Sequence, residues 1–474
     1  MLMSIVQYLG LQSQSHCGYC SLARGDRSNY GMWLHRLSTS DYQKLIDRGW
    51  RRSGLYCYKP VLERSCCPAY VIRCHALSFK PSKSQKRVMK RFANFLKNGD
   101  IQKGSAKFDL PCRDEEHTNH LSKEASAGHT VTLNSQDSKP EAVITSLSSV
   151  KNFVASCSTR PHKKPLELLL RKAKWKRRTR KLEKLKAKGI DPALWIKKLP
   201  PVKTIEDFLN MANSESSWKH RLSVKLLCSS PPCTEFEETF GDSFNLYKKY
   251  QTFVHRDEPK SVTESKYRSF LCVSPFLLEG VDHPDHPGFG SFHYQFYLDE
   301  RLVAVSVLDI LPACISSKYF FYDPDLRFLS FGIYSALKEI ELTRKLSQIT
   351  PSLRYYYMGY YIPSCAKMRY KGAFFPSDLL CPETFAWFPI QDCVRMLGER
   401  TCCRFAPHEV TATFDPVSTN NIWVLFSEGN DELKLLRFGE YLQENEVGDG
   451  LISELREYAH LVGSPVAHTM AVVL

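Results

Sequence analysis

The sequence predicts a mixed α/β (α+β) protein. Three observations carry that prediction. Phe292 to Asp299 and Arg301 to Ile310 read as two apolar-rich strands that break at Asp299-Glu300, the pattern of a hairpin. Directly after it, Ile333, Leu337 and Ile340 recur at helical spacing. Arg354 to Ile362, almost wholly aromatic, then reads as a further strand. Hydrophobic residues make up 43% of the 474 and charged residues 24%, enough for a buried core and unlike a fibrous or wholly disordered chain.

Taken in order, residues 1–100 form a cysteine-rich first domain. It ends in a helix over Ser84 to Lys97, with Val88, Phe92, Phe95 and Leu96 on its buried face. Lys86, Arg87, Lys90, Arg91 and Lys97 crowd the remaining surface, and Gly99 supplies a stop. Residues 101–162 turn polar and cannot bury enough apolar surface to offset their ordering entropy, so a disordered linker is expected. Residues 163–200 are a basic helical segment, with one long helix over 163–188 that could lie on RNA, carry an import signal, or both. Residues 201–474 form the second globular domain. Its strands are Phe292 to Asp299, Arg301 to Ile310, Lys318 to Tyr322 and the aromatic run, with a helix from Ser330 to Leu346.

The formal charge of +15 is concentrated. Residues 1–100 carry a net +12 and residues 163–188 a net +11, so the rest of the chain is acidic. Segregated positive charge suits a nucleic-acid partner, and it equally suits two solvated faces with an import signal. No stretch approaches the roughly 18 apolar residues of a membrane span; the run Leu302 to Leu308 is interrupted by Ser306 and ended by Asp309. The opening residues lack a basic region and make a poor signal peptide. With 17 cysteines, an odd number, the thiols read as reduced or metal-bound in a cytoplasmic protein, with the nucleus as a second address.

Cys17-Gly-Tyr-Cys20 has the spacing with which two thiolates chelate one soft metal through a tight turn, and Cys66-Cys67 follows. Adjacent cysteines point apart in an extended chain, so both reach a single tetrahedral ion only through a local bend. An iron–sulfur cluster, with separate iron atoms, tolerates such a pair more readily. Ordinary buried cysteines remain the alternative. Arg24, Arg27, Arg36, Lys44, Arg48, Arg51 and Arg52 alternate with Tyr19, Tyr30, Trp33, Tyr42, Trp50 and Tyr56. That mixture suits an RNA surface, and it also builds a small core with a charged rim.

The second domain shows no Walker loop, no dinucleotide fingerprint and no nucleophile triad; Gly288-Phe-Gly290 lacks the downstream glycine. His293 reads first as a packed histidine. Lys367, Arg369 and Lys371 alternate, aiming three cations at one ligand or solvating one face of a strand.

Several segments resemble the eukaryotic arginyl-tRNA–protein transferases. They are Gly290 to Tyr297, Ala304 to Pro312, Tyr322 to Asp325, Phe328 to Glu339, Tyr355 to Ile362, Cys365 to Gly372 and Pro376 to Thr384. His16 to Ser21 and Tyr56 to Pro68 resemble that family's amino-terminal domain. The resemblance departs at Tyr294 and Gln295, where the family has two glutamines, at Ser306, where it has glycine, and at Phe331, where it has leucine.

The resemblance implies a monomeric aminoacyltransferase that takes arginine from arginyl-tRNA to proteins beginning with Asp, Glu or oxidised Cys, marking them for degradation. It implies a carboxy-terminal domain similar to GCN5-type acetyltransferases (GNAT-like). It also implies an iron–sulfur cluster, or alternatively zinc, at Cys17, Cys20, Cys66 and Cys67. Acetyl-CoA is not expected, because Arg327 to Ala336 offers only Gly332 where a pyrophosphate loop would stand. Asp309 is expected to hold the arginyl group. Lys367, Arg369 and Lys371 are expected to serve the acidic residue or the tRNA phosphates, with His293, Gln295 and Tyr357 completing the pocket. A non-catalytic RNA-binding protein with a zinc-type module is the competing reading.

Overall fold

Asp299 and Glu300 both adopt left-handed backbone, φ 50° and 67°, and close the expected hairpin as a two-residue turn. The computed structural model describes residues 3–20, 26–99, 177, 179–191, 203–212, 217–398, 402–409, 418–428 and 432–474. The chain divides into two units, Met1–Ala125 with Thr204–Leu474, and Ser126–Lys203. In the second unit, residues 179–186 are helical, with Arg180, Lys181, Lys184 and Lys186 exposed. The expected linker over 101–162 and the start of the basic helix lie outside the described residues.

The first unit contains two sheets. One runs, in spatial order, Glu432–Arg437 (β14), Trp423–Glu428 (β13), Met470–Val473 (β15), Ser4–His16 (β1), Asp26–Arg36 (β2), Tyr56–Pro60 (β4) and Arg51–Ser53 (β3). The other runs Trp387–Pro389 (β12), Ser377–Leu380 (β11), Tyr70–His75 (β5), Tyr355–Tyr361 (β10), Cys314–Tyr322 (β9), Arg301–Ile310 (β8), Gly290–Leu298 (β7) and Leu222–Ser230 (β6).

This topology corrects the expectation of separate domains over 1–100 and 201–474. β15, from the far end of the chain, pairs in parallel with β1, Ser4 opposite Met470 and Val6 opposite Val472. β5, from the first hundred residues, lies between β10 and β11. Each segment supplies a strand that the other needs, because a strand with a bare edge leaves its amides and carbonyls unpaired.

The helix Lys83–Asn98 forms as expected. Ser82 and Gln85 make a reciprocal capping box at its start, and Gly99 ends it at φ 67°. Its buried face, with Met89, Phe92 and Leu96, packs beside the helix Phe331–Ser347 on one face of the eight-stranded sheet. Phe92 stacks on Tyr334 with ring centres 3.9 Å apart. The opposite face is covered by the helices Thr234–Glu238, Phe240–Tyr250 and Glu264–Tyr267, through Phe236, Phe244 and Tyr267 against Val305, Val307 and Phe321.

Candidate functional site

β9 and β10 run parallel, joined by the crossover helix Phe331–Ser347, yet they pair only at Cys314–Tyr355, Ile315–Tyr356 and Ser316–Tyr357. Beyond that point β9 stays with β8 as far as Tyr322. β10 passes through Gly359, at φ 67°, and continues with β5 at Tyr360 and Tyr361. Two parallel strands that part in this way form a fork, where the strand-to-strand pairing ends.

Glu339, on the crossover helix, lies beneath the fork and is buried. Ser306 Oγ and Tyr356 OH each donate to its carboxylate at 2.7 Å. Burial raises its pKa against these hydrogen bonds. Ser306, one of the departures noted above, therefore has a local reason: its hydroxyl answers a buried carboxylate. Glu339 was not singled out from the sequence, because it falls in the ordinary polar pattern of a helix.

Two adjacent arginines of β3 enter from the other side of the sheet. Arg52 donates from Nε to Asp309 Oδ2 at 2.9 Å and from Nη2 to Asp309 Oδ1 at 2.5 Å, and neither side chain is exposed. Ser291 Oγ lies 2.8 Å from the same carboxylate, and Arg52 Nη1 donates to Gly54 O at 2.9 Å. Asp309, expected to hold the arginyl group, is paired here with an internal arginine at its strand end. Arg51 is buried as well, its guanidinium 5.7 Å from the ring centres of both Tyr357 and Tyr360. Arg27, Arg51, Arg52, Tyr42 and Trp50 are all interior. Much of the expected RNA surface of the first domain is thus the core-forming alternative.

The other expected pocket residues separate. Tyr357 stands at the fork and donates its hydroxyl to Asp47 Oδ1 at 2.5 Å. Lys371 is beside it, donating to Tyr360 O at 2.9 Å, and burial pulls its pKa down to about 8. Lys367 and Arg369 are exposed on a single helical turn, Ala366–Arg369, and Lys371 lies in the following 3-10 turn Tyr370–Ala373. The strand alternation expected for these three cations is therefore corrected.

His293 and Gln295 lie on β7, two strands from the fork, under the helical cover. His293 packs edge-on to Phe236, its Nε2 is 3.2 Å from Leu271 O, and burial lowers its pKa to about 4. Gln295 donates to Thr239 Oγ1 at 3.1 Å. Both are packed residues rather than parts of the fork.

The four cysteines converge. The sulfurs of Cys17, Cys20, Cys66 and Cys67 all lie within 4.8 Å of one another, with Cys20 and Cys66 3.5 Å apart. Cys66 and Cys67 sit in a bend, which supplies the local turn that lets adjacent thiols face one centre. Burial raises the Cys17 thiol, but backbone amides of Tyr19 and Cys20 and neighbouring thiols bring it below its ordinary value. The set can hold a metal ion.

Residues 15–87 match the model of the arginine-tRNA-protein transferase amino terminus, and residues 242–381 match that of its carboxy terminus. An arginyl-tRNA–protein transferase 1 of Drosophila melanogaster is 39% identical over 507 aligned residues, covering 100% of each chain. The chain belongs to the arginine-tRNA-protein transferase family. An arginyl-tRNA–protein transferase 2 of Arabidopsis thaliana is 33% identical, over 88% of this transferase and 79% of its own length. An aspartate/glutamate leucyltransferase of Campylobacter jejuni is 33% identical over 137 residues, 28% of this chain and 51% of that protein. The transferase models cover the four cysteines and β3 at one end, and the fork, Glu339 and Lys371 at the other.

Proposed function

We propose that this transferase moves arginine from arginyl-tRNA onto the amino-terminal Asp, Glu or oxidised Cys of proteins, marking them for ubiquitin-dependent degradation. The observation that carries the reading is the 39% identity over the full length of a named arginyl-tRNA–protein transferase. The partial match to an aspartate/glutamate leucyltransferase supports acidic acceptors.

The chemistry asks for little beyond placement. The aminoacyl ester is already activated: the acceptor's free α-amine attacks the ester carbonyl, a C–N bond forms, the bond to the ribose oxygen breaks, and a proton lost from the amine ends on that oxygen as the ribose hydroxyl. An α-amino group has a pKa of about 7.7, so an appreciable fraction is free base near neutrality. Holding amine and ester together then contributes most of the acceleration. The fork between β9 and β10 is the site we assign to the aminoacyl end, and the strand–crossover helix–strand arrangement that makes it supports a GNAT-like reading of the second domain. Water-filled cytoplasm is the proposed location, with the nucleus a second one. No helix among the described residues is long and apolar enough to cross a membrane.

For the cysteines, sulfurs around one tetrahedral ion with Zn–S near 2.3 Å stand about 3.8 Å apart. A spread of at most 4.8 Å suits that arrangement. Thiolates on separate irons of a cluster ask for a wider ring. We therefore read the site as holding one thiolate-bound ion, zinc in preference to an iron–sulfur cluster, that would staple the Cys17–Cys20 turn to the Cys66–Cys67 bend. The test of the activity is transfer of labelled arginine from arginyl-tRNA to peptides beginning with Asp, against matched peptides beginning with Ala. Transfer confined to the Asp peptides is expected; tRNA binding without transfer would overturn the reading.

A further inference from the structure

We propose that Arg51, with Lys371, binds the side-chain carboxylate of the acceptor's amino-terminal acidic residue at the fork. This rests on the acceptor chemistry proposed above and names the residues that recognise it.

Arg51 and Arg52 are neighbours on β3 and make a natural comparison. Arg52 spends the Nε/Nη2 edge of its guanidinium on Asp309, the two-pronged geometry that fits a carboxylate. Arg51 presents the same edge. It is 6% exposed, and neither its Nε nor its Nη2 has a partner among the described residues. Its remaining nitrogen, Nη1, donates to Ile46 O at 3.1 Å and Trp50 O at 2.6 Å. A guanidinium does not give up its proton, so burial leaves a charge that only an anion answers well. Asp47 feels that charge, but its carboxylate takes its hydrogen bonds from Gln43 and Tyr357.

Lys371 adds a second cation close enough for the Arg51 charge to lower its pKa further. Its Nζ is anchored on Tyr360 O and not on a carboxylate. Arg51 lies beside the rings of Tyr357 and Tyr360, and Lys371 lies on the Tyr360 carbonyl, next to Gly359 where β10 parts from β9. In an amino-terminal Asp or Glu the carboxylate and the α-amine are only a few bonds apart. A carboxylate seated on the Arg51 edge therefore leaves the amine at the mouth of the fork, where the ester carbonyl is delivered. Lys367 and Arg369 are exposed, and Arg52 is already paired, so neither alternative offers a sealed cationic edge.

The experiment uses the full chain with arginyl-tRNA and two peptides that differ only in beginning with Asp or Asn. Arg51→Lys keeps the charge and removes the two-pronged guanidinium edge; Lys371→Met removes the second cation and keeps the stem. For Arg51→Lys, KM for the Asp peptide is expected to rise about tenfold or more, with kcat and arginyl-tRNA affinity within about twofold. Lys371→Met should raise the same KM several-fold, and both should narrow the preference for Asp over Asn. Unchanged KM in both variants, with the parent active on the Asp peptide, overturns the carboxylate site and leaves the activity standing. Loss of arginyl-tRNA affinity with KM for peptide intact overturns it in favour of a phosphate contact. A parent chain that transfers to no peptide defeats the activity itself, and the site with it. Should Arg51→Lys fail to fold, Lys371→Met decides the question.

Discussion

Arg52 and Asp309 form a sealed, two-pronged ion pair that joins β3 of one sheet to β8 of the other. Removing one partner strands the other's charge in the interior, which costs about 3–5 kcal/mol. Asp309→Asn is therefore expected to lower the urea midpoint sharply, and the double change Arg52→Met with Asp309→Leu to recover much of the loss. If Asp309→Asn left the midpoint alone and instead raised KM for arginyl-tRNA, the substrate role first expected of Asp309 would return.

Lys318 makes stability depend on pH. β9 carries one residue more than β8 here, with Val307 opposite Tyr319 and Leu308 opposite Ser317. The inserted residue, Lys318, has its Nζ shielded from water without a partner among the described residues. Burial, and next the charge of Arg52, pull its pKa down to about 7. The unfolded value is about 10.4. Between the two, the unfolded chain binds the proton more tightly, so stability rises with pH across that window. Below about pH 7 the whole penalty is present. Lys318→Met should accordingly be more stable than the parent at pH 7, with the difference shrinking toward pH 10. A difference that stays constant in urea titrations at both pH values would show that Lys318 does not titrate in this range.

Local pattern revealed the local elements. The hairpin at Asp299-Glu300, the helix Lys83–Asn98 and the crossover helix were legible because apolar runs, helical spacing and the Gly99 stop lie within a few positions of one another. The sharing of strands between 1–100 and 201–474 was not, since nothing in β1 states that its partner is β15, more than four hundred residues away. Asp309 stood out correctly as a polar residue in an apolar strand, but its partner, Arg52, came from a distant segment that read as surface. Lys367, Arg369 and Lys371 misled for the opposite reason. Three alternating cations are too short a run to tell a strand face from a helical turn.

The cysteine site gives a chemical prediction. Purified chain should contain about one metal atom and no acid-labile sulfide, as one tetrahedral thiolate site requires. Cys66→Ser, which alters the exposed ligand, should lose the metal and lower the thermal midpoint, because the ion ties two separate turns together. Sulfide accompanied by two or more iron atoms would replace the single-ion reading with a cluster.

Gly54 tests how tightly the arginine-bearing strand is held. It turns the chain from β3 into β4 at φ 59°, and a Cβ there would stand 2.1 Å from the backbone oxygen of Ser269. That oxygen cannot swing aside as a side chain could, so either the turn or the segment carrying Ser269 must move. Gly10 is the control: its φ is 67°, but a Cβ would meet nothing within 4 Å. Gly10→Ala should cost about 1 kcal/mol, the ordinary penalty for a left-handed residue. Gly54→Ala should cost clearly more, about 3 kcal/mol, and should reduce transfer as well, since Gly54 O is a hydrogen-bond acceptor for Arg52. Equal losses in the two variants would mean that backbone conformation alone sets the cost and that the contact with Ser269 can relax.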